Sequence, residues 1–393
     1  MIYKEFLGHK VSQLGFGAMR LPQTGTEWGS PLNKEEAIAL IRKAYESGVN
    51  YFDTAYVYGG GQSEVILGEA LSIYPRDSYY VATKFPGLHP PTGGWTMEKV
   101  KETFEEQLRK LNMEYVDFYL LHGIMEMDWH LYSDPNVPLA DYFHELKQTG
   151  KIRHFGFSSH AKPDLLEKVL EWKDYFEFCQ IQLNYLDWTM QDAKQQYEIL
   201  EKAGLPVIVM EPVRGGRLAN LDEKCTELLR GAHPDWSAAS WALRFAGALE
   251  NVKVVLSGMS NMEQLEDNLK TFAQGELLSE DDRALLLHQV VPALADMVPC
   301  TGCRYCMAEC PMNLKIPHLI SLYNEMNFSP RSFYLGALKE ADMPSNCIAC
   351  GACTAVCPQS IDIPDVLQKL DGKITEAREA MARMRRPQPE KKD

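Results

Sequence analysis

Between Gly15 and about Gln274, short apolar runs alternate with stretches in which apolar residues return every three or four positions. The short runs read as strands: Gln13 to Gly17, Tyr51 to Thr54, Tyr79 to Lys84, Val116 to His122, His154 to Ser158, Phe178 to Leu183, Val207 to Glu211 and Val252 to Ser257. The helical stretches include Glu35 to Ser47, Ser63 to Ser72, Met97 to Leu111, Pro163 to Trp172, Met190 to Ala203, Ser237 to Phe245 and Met262 to Phe272. Strand-helix alternation is the signature of a parallel sheet, and eight such units in about 250 residues fit a closed (β/α)8 TIM barrel. An open doubly wound sheet would want Gly-x-Gly-x-x-Gly after its first strand. Here Gly15-Phe16-Gly17-Ala18-Met19-Arg20 stops after two glycines.

A barrel of this kind carries its chemistry at the C-terminal ends of the strands. Those ends hold Asp53, Lys84, His122, Ser158, Gln180 and Glu211. Any one of them also reads as a cap or a loop hydrogen bond; together they point to a site. The run Asn50-Tyr51-Phe52-Asp53-Thr54-Ala55-Tyr56-Val57-Tyr58-Gly59 adds a phenol five residues after the acid, beside more glycines. Two loops stand out. Gly123 to Pro138, with Trp129, His130 and Tyr132, is long for its place and is expected to cover a substrate. In Pro212-Val213-Arg214-Gly215-Gly216-Arg217, the glycines allow close backbone approach and Arg214 and Arg217 suit a pyrophosphate, against the alternative of a plain turn with solvated arginines.

These residues resemble the aldo-keto reductase family. The resemblance rests on Asp53-Thr54-Ala55-Tyr56-Val57-Tyr58-Gly59 with Ser63-Glu64, Lys84, Leu120-Leu121-His122, Gly156-Phe157-Ser158-Ser159-His160 and Gln180-Ile181-Gln182-Leu183-Asn184, and spans roughly residues 1 to 295. It implies a catalytic tetrad of Asp53, Tyr58, Lys84 and His122. Tyr58 would give its proton to a carbonyl that receives hydride, Lys84 would lower the phenol's pKa, Asp53 would hold the ammonium, and His122 would orient the carbonyl. It also implies a nicotinamide cofactor, NAD(H) or NADP(H). Its carboxamide would meet Ser158, Ser159 and Gln180, its ring would pack on Met210, where an aromatic residue is usual, and the loop of Arg214, Gly216 and Arg217 would face its phosphates. Ser257 and Asn268 belong to the adenosine end. The two cations that hold a 2'-phosphate become Gly258 and Gln264, which favours NAD unless Arg214 or Arg217 compensates.

After Pro299 the pattern changes. Cys300, Cys303, Cys306 and Cys310 are followed by proline, and Cys347, Cys350, Cys353 and Cys357 repeat the spacing. That is the run of bacterial-type 4Fe-4S clusters; two zinc sites are the rival. Under the crossed rule one cluster takes Cys300, Cys303, Cys306 and Cys357, and the other takes Cys347, Cys350, Cys353 and Cys310. The stretch after Cys310 echoes that after Cys357, so the region reads as a pseudo-symmetric pair, with helices around His318 to Met326 and Ser332 to Glu340. It resembles the helical dicluster ferredoxin module fused to larger oxidoreductases. The expected organisation is a barrel over 1–296, a ferredoxin-like domain over 297–370 and a helical or frayed basic tail over 371–393.

Composition adds exclusions. The 393 residues are 45% hydrophobic and carry a net charge of −14, which argues against nucleic-acid binding and against docking to an anionic membrane. Met1-Ile2-Tyr3-Lys4-Glu5-Phe6 lacks the regions of a signal peptide, so a cytoplasmic location is expected. Eight of the ten cysteines fall in the two groups, and Cys179 reads as a core residue. The expected function is hydride transfer between a nicotinamide and a small carbonyl or alcohol. The alternative is an electron-transfer protein whose clusters serve a ferredoxin-like partner while the barrel binds nicotinamide or docks; a cluster-based redox sensor is a third reading.

Overall fold

In the computed structural model the described residues are 1–25, 30–87, 89–126, 128–221, 223–273, 277–294, 298, 300, 305–328, 338–357 and 360–384. Cys303, most of the helix expected over Ser332 to Glu340, and the tail beyond 384 lie outside them. By Cα packing the chain divides into two compact units, Met1–Ala284 and Leu285–Asp393. Among the described residues no helix is long and apolar enough to cross a membrane.

The first unit opens with a hairpin, β1 (Tyr3–Phe6) and β2 (His9–Ser12). Eight parallel strands follow: β3 (Leu14–Gly17), β4 (Tyr51–Asp53), β5 (Tyr80–Phe85), β6 (Val116–Ile124), β7 (Ile152–Ser159), β8 (Cys179–Gln182), β9 (Val207–Met210) and β10 (Val252–Ser257). They close in the order β10-β3-β4-β5-β6-β7-β8-β9. This is the TIM barrel that the apolar runs predict. Several ends shift by a residue or two, and β6 runs on through His122 to Ile124 and β7 starts at Ile152.

The hairpin was not legible as strands. Its turn residues Leu7 (φ 50°) and Gly8 (φ 81°) both lie in the left-handed region that two-residue hairpins need. Phe6 stacks on Phe118 at 5.0 Å and meets Phe178 edge-on at 5.7 Å, and Val11 joins the same core. Burying a phenylalanine contributes roughly 1.5–3 kcal/mol, which is enough to hold a short hairpin over the N-terminal end of the barrel.

The helix Met97–Leu111 shows why the outer ring forms where the periodicity places it. Thr96 caps it by accepting from Lys99 N at 3.3 Å, and Asn112, left-handed at φ 55°, ends it. Its buried face is Val100, Thr103, Phe104, Gln107, Leu108 and Leu111. Gln107 belongs there because it has partners inside: its Nε2 donates to Glu64 Oε1 (2.8 Å), Thr83 Oγ1 (3.1 Å) and the Lys84 carbonyl (3.0 Å). The helix expected over Met190 to Ala203 is broken instead into Asp187–Met190 and Ala193–Ala203, with Asp192 left-handed between them.

In the second unit the helices Ile316–Phe328 and Ile363–Met384 carry the core. Leu314, Ile316, Leu319 and Ile320 come from one half, and Ile361, Ile363, Val366 and Leu367 from the other. The repeat extends to the backbone. Asn313 (φ 53°) and Ser360 (φ 52°), each three residues after the last cysteine of its group, share the same left-handed turn.

Candidate functional site

Asp53 closes β4 and Lys84 lies near the end of β5, its paired neighbour in the barrel. The Lys84 ammonium is fully buried and donates to Asp53 Oδ1 (2.6 Å), Asp53 Oδ2 (2.7 Å) and the Thr54 carbonyl (2.7 Å). Three acceptors match its three hydrogens. Burial draws both groups toward neutrality, pushing Asp53 up and Lys84 down, and their contact opposes it. Behind them Glu64 is also fully buried, and burial pushes its carboxyl up.

Tyr58 follows through Ala55 to Val57, and Gly59 and Gly60, both at positive φ, turn the chain away beneath it. Lys84 Nζ stands 5.0 Å from the centre of its ring, and the His122 ring meets it edge-on at 5.7 Å. One expectation reverses. Burial, then the charges of Asp53 and Glu211, hold the Tyr58 phenol well above its usual value. Lys84 is paired with the Asp53 carboxylate, whose own charge acts on the phenol in the opposite sense. Burial, reinforced by Lys84, His160 and His89, holds His122 well below the usual imidazole range, so it is neutral at pH 7 with one N–H to give.

The expected covering loop is partly a support. Tyr132 is buried and its hydroxyl donates to the His122 carbonyl. A Cβ at Gly87 would stand 2.5 Å from the Tyr132 ring, so only glycine fits there. Trp129 packs on Trp172 at 5.1 Å.

The residues expected to face a nicotinamide gather on β7 to β10. Ser158 accepts from Gly123 N at 2.7 Å, and Ser159 accepts from Ala161 N at 3.0 Å. Gln180 donates to the Met210 sulfur at 3.5 Å, while its Oε1 is buried with no hydrogen-bond partner among the described residues. An orphaned acceptor there suits the NH2 of a carboxamide. At the adenosine end Asn268 Nδ2 donates to Ser257 Oγ at 2.7 Å, and Gln264 Oε1 accepts from Ser260 N at 2.7 Å. Arg214 is buried, and its Nε donates to Asp187 Oδ1 (3.0 Å) and Oδ2 (3.2 Å). Gly216 is left-handed and Arg217 is exposed.

In the second unit a pocket is lined by Cys310, Cys347, Cys350 and Cys353. These are the four cysteines that the crossed rule assigns to one cluster. The donor set fits: Leu314 N donates to Cys310 Sγ at 3.4 Å, as backbone does to cluster sulfurs. Cys306 is buried in the same core, with Cys300 and Cys357 packed against it. Among the described residues no three metal-ligating side chains converge tightly enough for one ion, whereas a cubane cluster needs its thiolates spread around a wall.

The Aldo/keto reductase family profile matches residues 13–286, and a 4Fe-4S dicluster domain matches 299–361. The chain belongs to the aldo/keto reductase family. It is similar to an L-galactose dehydrogenase of Arabidopsis thaliana, at 30% identity over 71% of this chain and 89% of the relative. It is also similar to an NADH-specific methylglyoxal reductase of Escherichia coli, at 27% identity over 53% of this chain and 65% of that protein. Among solved structures, the holo form of an aldo-keto reductase from Bacillus halodurans aligns with a TM-score of 0.60 and 28% identity, covering 74% of this chain and 99% of that one. The barrel is therefore that of an aldo/keto reductase, an oxidoreductase, and the second unit is a 4Fe-4S domain.

Within this aldo/keto reductase, sequence reasoning gave no role to His160 and Arg20, and named Glu211 only as one of the strand-end candidates. His160 follows Ser159, and burial pushes its imidazole down to about 4. Arg20, just after β3, lays its side chain along Gly258 and brings Nη2 to 3.1 Å from where a Gly215 Cβ would be. Glu211 follows β9 in a left-handed conformation. Each stands just past a barrel strand or its closing residues, and that position was the available signal.

Proposed function

We propose that the barrel transfers hydride between a nicotinamide and a small carbonyl or alcohol, with Tyr58 handling the proton. The observation that carries this reading is the Lys84 ammonium locked by Asp53 and Thr54 beneath the Tyr58 ring, with neutral His122 at the ring's edge. A reduced nicotinamide, when bound, would supply the hydride. The carbonyl carbon takes that hydride, Tyr58 Oη gives its proton to the carbonyl oxygen, and solvent restores the phenol; oxidation of an alcohol runs the same steps backward. His122 gives its one N–H to the carbonyl oxygen and orients it. The raised pKa keeps Tyr58 protonated at neutral pH, as a donor must be.

Gln180, Ser158, Ser159 and Met210 would hold the nicotinamide end, with Arg20 and the loop of Gly216 and Arg217 at the phosphates. NAD is favoured over NADP because Gln264 is engaged by Ser260 N and Gly258 offers no charge, and the Escherichia coli relative is named as NADH-specific. Two clusters held in the crossed arrangement and a cytoplasmic location complete the reading. Replacing Tyr58 with Phe should lower carbonyl-dependent cofactor oxidation by about 10²–10⁴-fold and leave cofactor binding intact. Near-normal turnover in that variant would sink the assignment.

One observation favours a second role for the other unit. Ile348 (61% exposed) and Met312 (42% exposed) rim the cysteine-lined cavity, and Cys350 is exposed. A cluster held there would lie near the surface, within reach of a one-electron partner such as a ferredoxin. Monitoring cluster bleaching during anaerobic nicotinamide oxidation, with and without ferredoxin, separates this role from a structural one.

A further inference from the structure

The loop after β9 is held in a conformation that its own residues disfavour. Glu211 (φ 52°) and Arg214 (φ 47°) are both left-handed although each carries a Cβ, and Gly215 (φ 66°) and Gly216 (φ 95°) continue the turn. Backbone strain of this kind persists only where the surroundings over-determine it, and it gathers at ligand clamps. Here the surroundings centre on one acid. Asp187 is fully buried, and its carboxylate accepts from Arg214 Nε at 3.0 and 3.2 Å, from Gln182 Nε2 at 2.8 Å and from Asn184 Nδ2 at 2.6 Å. Asn184 Nδ2 gives its other hydrogen to the Glu211 carbonyl at 3.1 Å, while Asn184 Oδ1 accepts from Leu186 N (3.1 Å) and Asp187 N (2.8 Å). Both strained residues are therefore tied to the same carboxylate, Arg214 directly and Glu211 through Asn184.

This knot adjoins the residues read as the nicotinamide end. Gln182 lies two positions beyond Gln180 on β8, and Gln180 donates to the sulfur of Met210, the residue before Glu211. Leu183 N bonds the Met210 carbonyl at 3.2 Å. A planar guanidinium adds direction that an apolar contact lacks, so the pair sets one orientation for the loop. We propose that Asp187 is a positioning residue for the nicotinamide cofactor: through Arg214 and Asn184 it locks the loop 211–217 in its binding conformation before the cofactor arrives. The inference rests on the reading above that this loop meets the cofactor phosphates. A loop set in advance spares the ligand the cost of ordering it, so Asp187 contributes to affinity without touching the cofactor. The competing role makes Arg214 a direct phosphate ligand with Asp187 as its counter-ion.

The holoprotein, clusters intact, is titrated with NADH by fluorescence in wild type, Asp187→Asn, Arg214→Met and the double variant, and hydrogen exchange is followed across residues 211–217. Each single variant should raise the Kd about tenfold, as for a loop that keeps its binding conformation about a tenth of the time. The double variant should bind no more weakly than either single one. Exchange in the loop should quicken in all three while the barrel strands keep their protection, which a general loss of stability would not spare. Unchanged or tighter binding in Asp187→Asn overturns the inference. So does a loss in Arg214→Met far exceeding that in Asp187→Asn, which makes Arg214 a phosphate ligand. Should the variants fail to fold, wild type decides: slow exchange of the loop without NADH supports a preset loop, and fast exchange that NADH suppresses overturns it. If wild type binds neither NADH nor NADPH, the hydride-transfer reading itself falls, whereas normal binding that the variants leave unaltered removes this inference alone.

Discussion

The barrel site and the cysteine-rich unit hold their polar groups in opposite ways. Around Lys84 the chain supplies the polar partners itself: Lys84 has three acceptors, Thr54 and Ser63 share a hydrogen bond at 2.8 Å, and Glu64, Thr83, Gln107 and Tyr119 form one network. In the second unit the cysteines of the described residues line a pocket or lean on an aliphatic core, and none of them is in a disulfide. The first is a shape the chain makes for itself, and the second is a shape left for something else to complete.

The largest expected effect tests the second half of that contrast. Anaerobic chelation of iron from the full chain should abolish the helical signal and protease resistance of residues 285–384 and leave the thermal transition of the barrel in place. A structural metal in a small domain supplies on the order of 10 kcal/mol, more than the aliphatic core of Leu319, Leu367 and Leu370 is expected to replace. Protease resistance that survives iron loss would break the contrast.

A smaller effect tests the barrel. Lys84→Met leaves Asp53 buried without its cation, so stability read from denaturant midpoints should fall by about 3–5 kcal/mol. Adding Asp53→Asn should recover part of that loss. A double variant no more stable than the single one would mean that the pair does not act as a unit.

The smallest effect is in acid. His160 in the folded chain titrates near 4, below the 6.5 of an exposed imidazole. Between those values the unfolded state binds more protons, so stability rises with pH there; the contribution is complete above pH 6.5 and is lost on acidification toward pH 4. Its size is up to about 3 kcal/mol. His160→Gln should flatten that part of the stability profile, and an unchanged slope would place the titration elsewhere.

The eight strands were legible because each is a short apolar run between helical stretches, and Met97–Leu111 matched its expected bounds because Thr96 and Asn112 mark them. The hairpin was not, since Tyr3-Lys4-Glu5-Phe6 carries charge and only Phe6 turns inward. The meeting of Asp53, Tyr58, Lys84 and His122 followed from their places at strand ends and from the family resemblance. What stayed hidden needed partners distant in sequence. Nothing around Arg214 announces that Asp187 holds it, and no motif states that Lys84 gives all its hydrogens to Asp53 and Thr54. The upward shift of Tyr58 comes first from burial, which only the folded chain reveals.

The hairpin that went unread has the widest consequence for traffic. With Phe6 and Val11 seated among Tyr51, Phe118 and Phe178, the barrel is a cup with a stoppered base. The chemistry therefore keeps to the opposite rim, where the strands end.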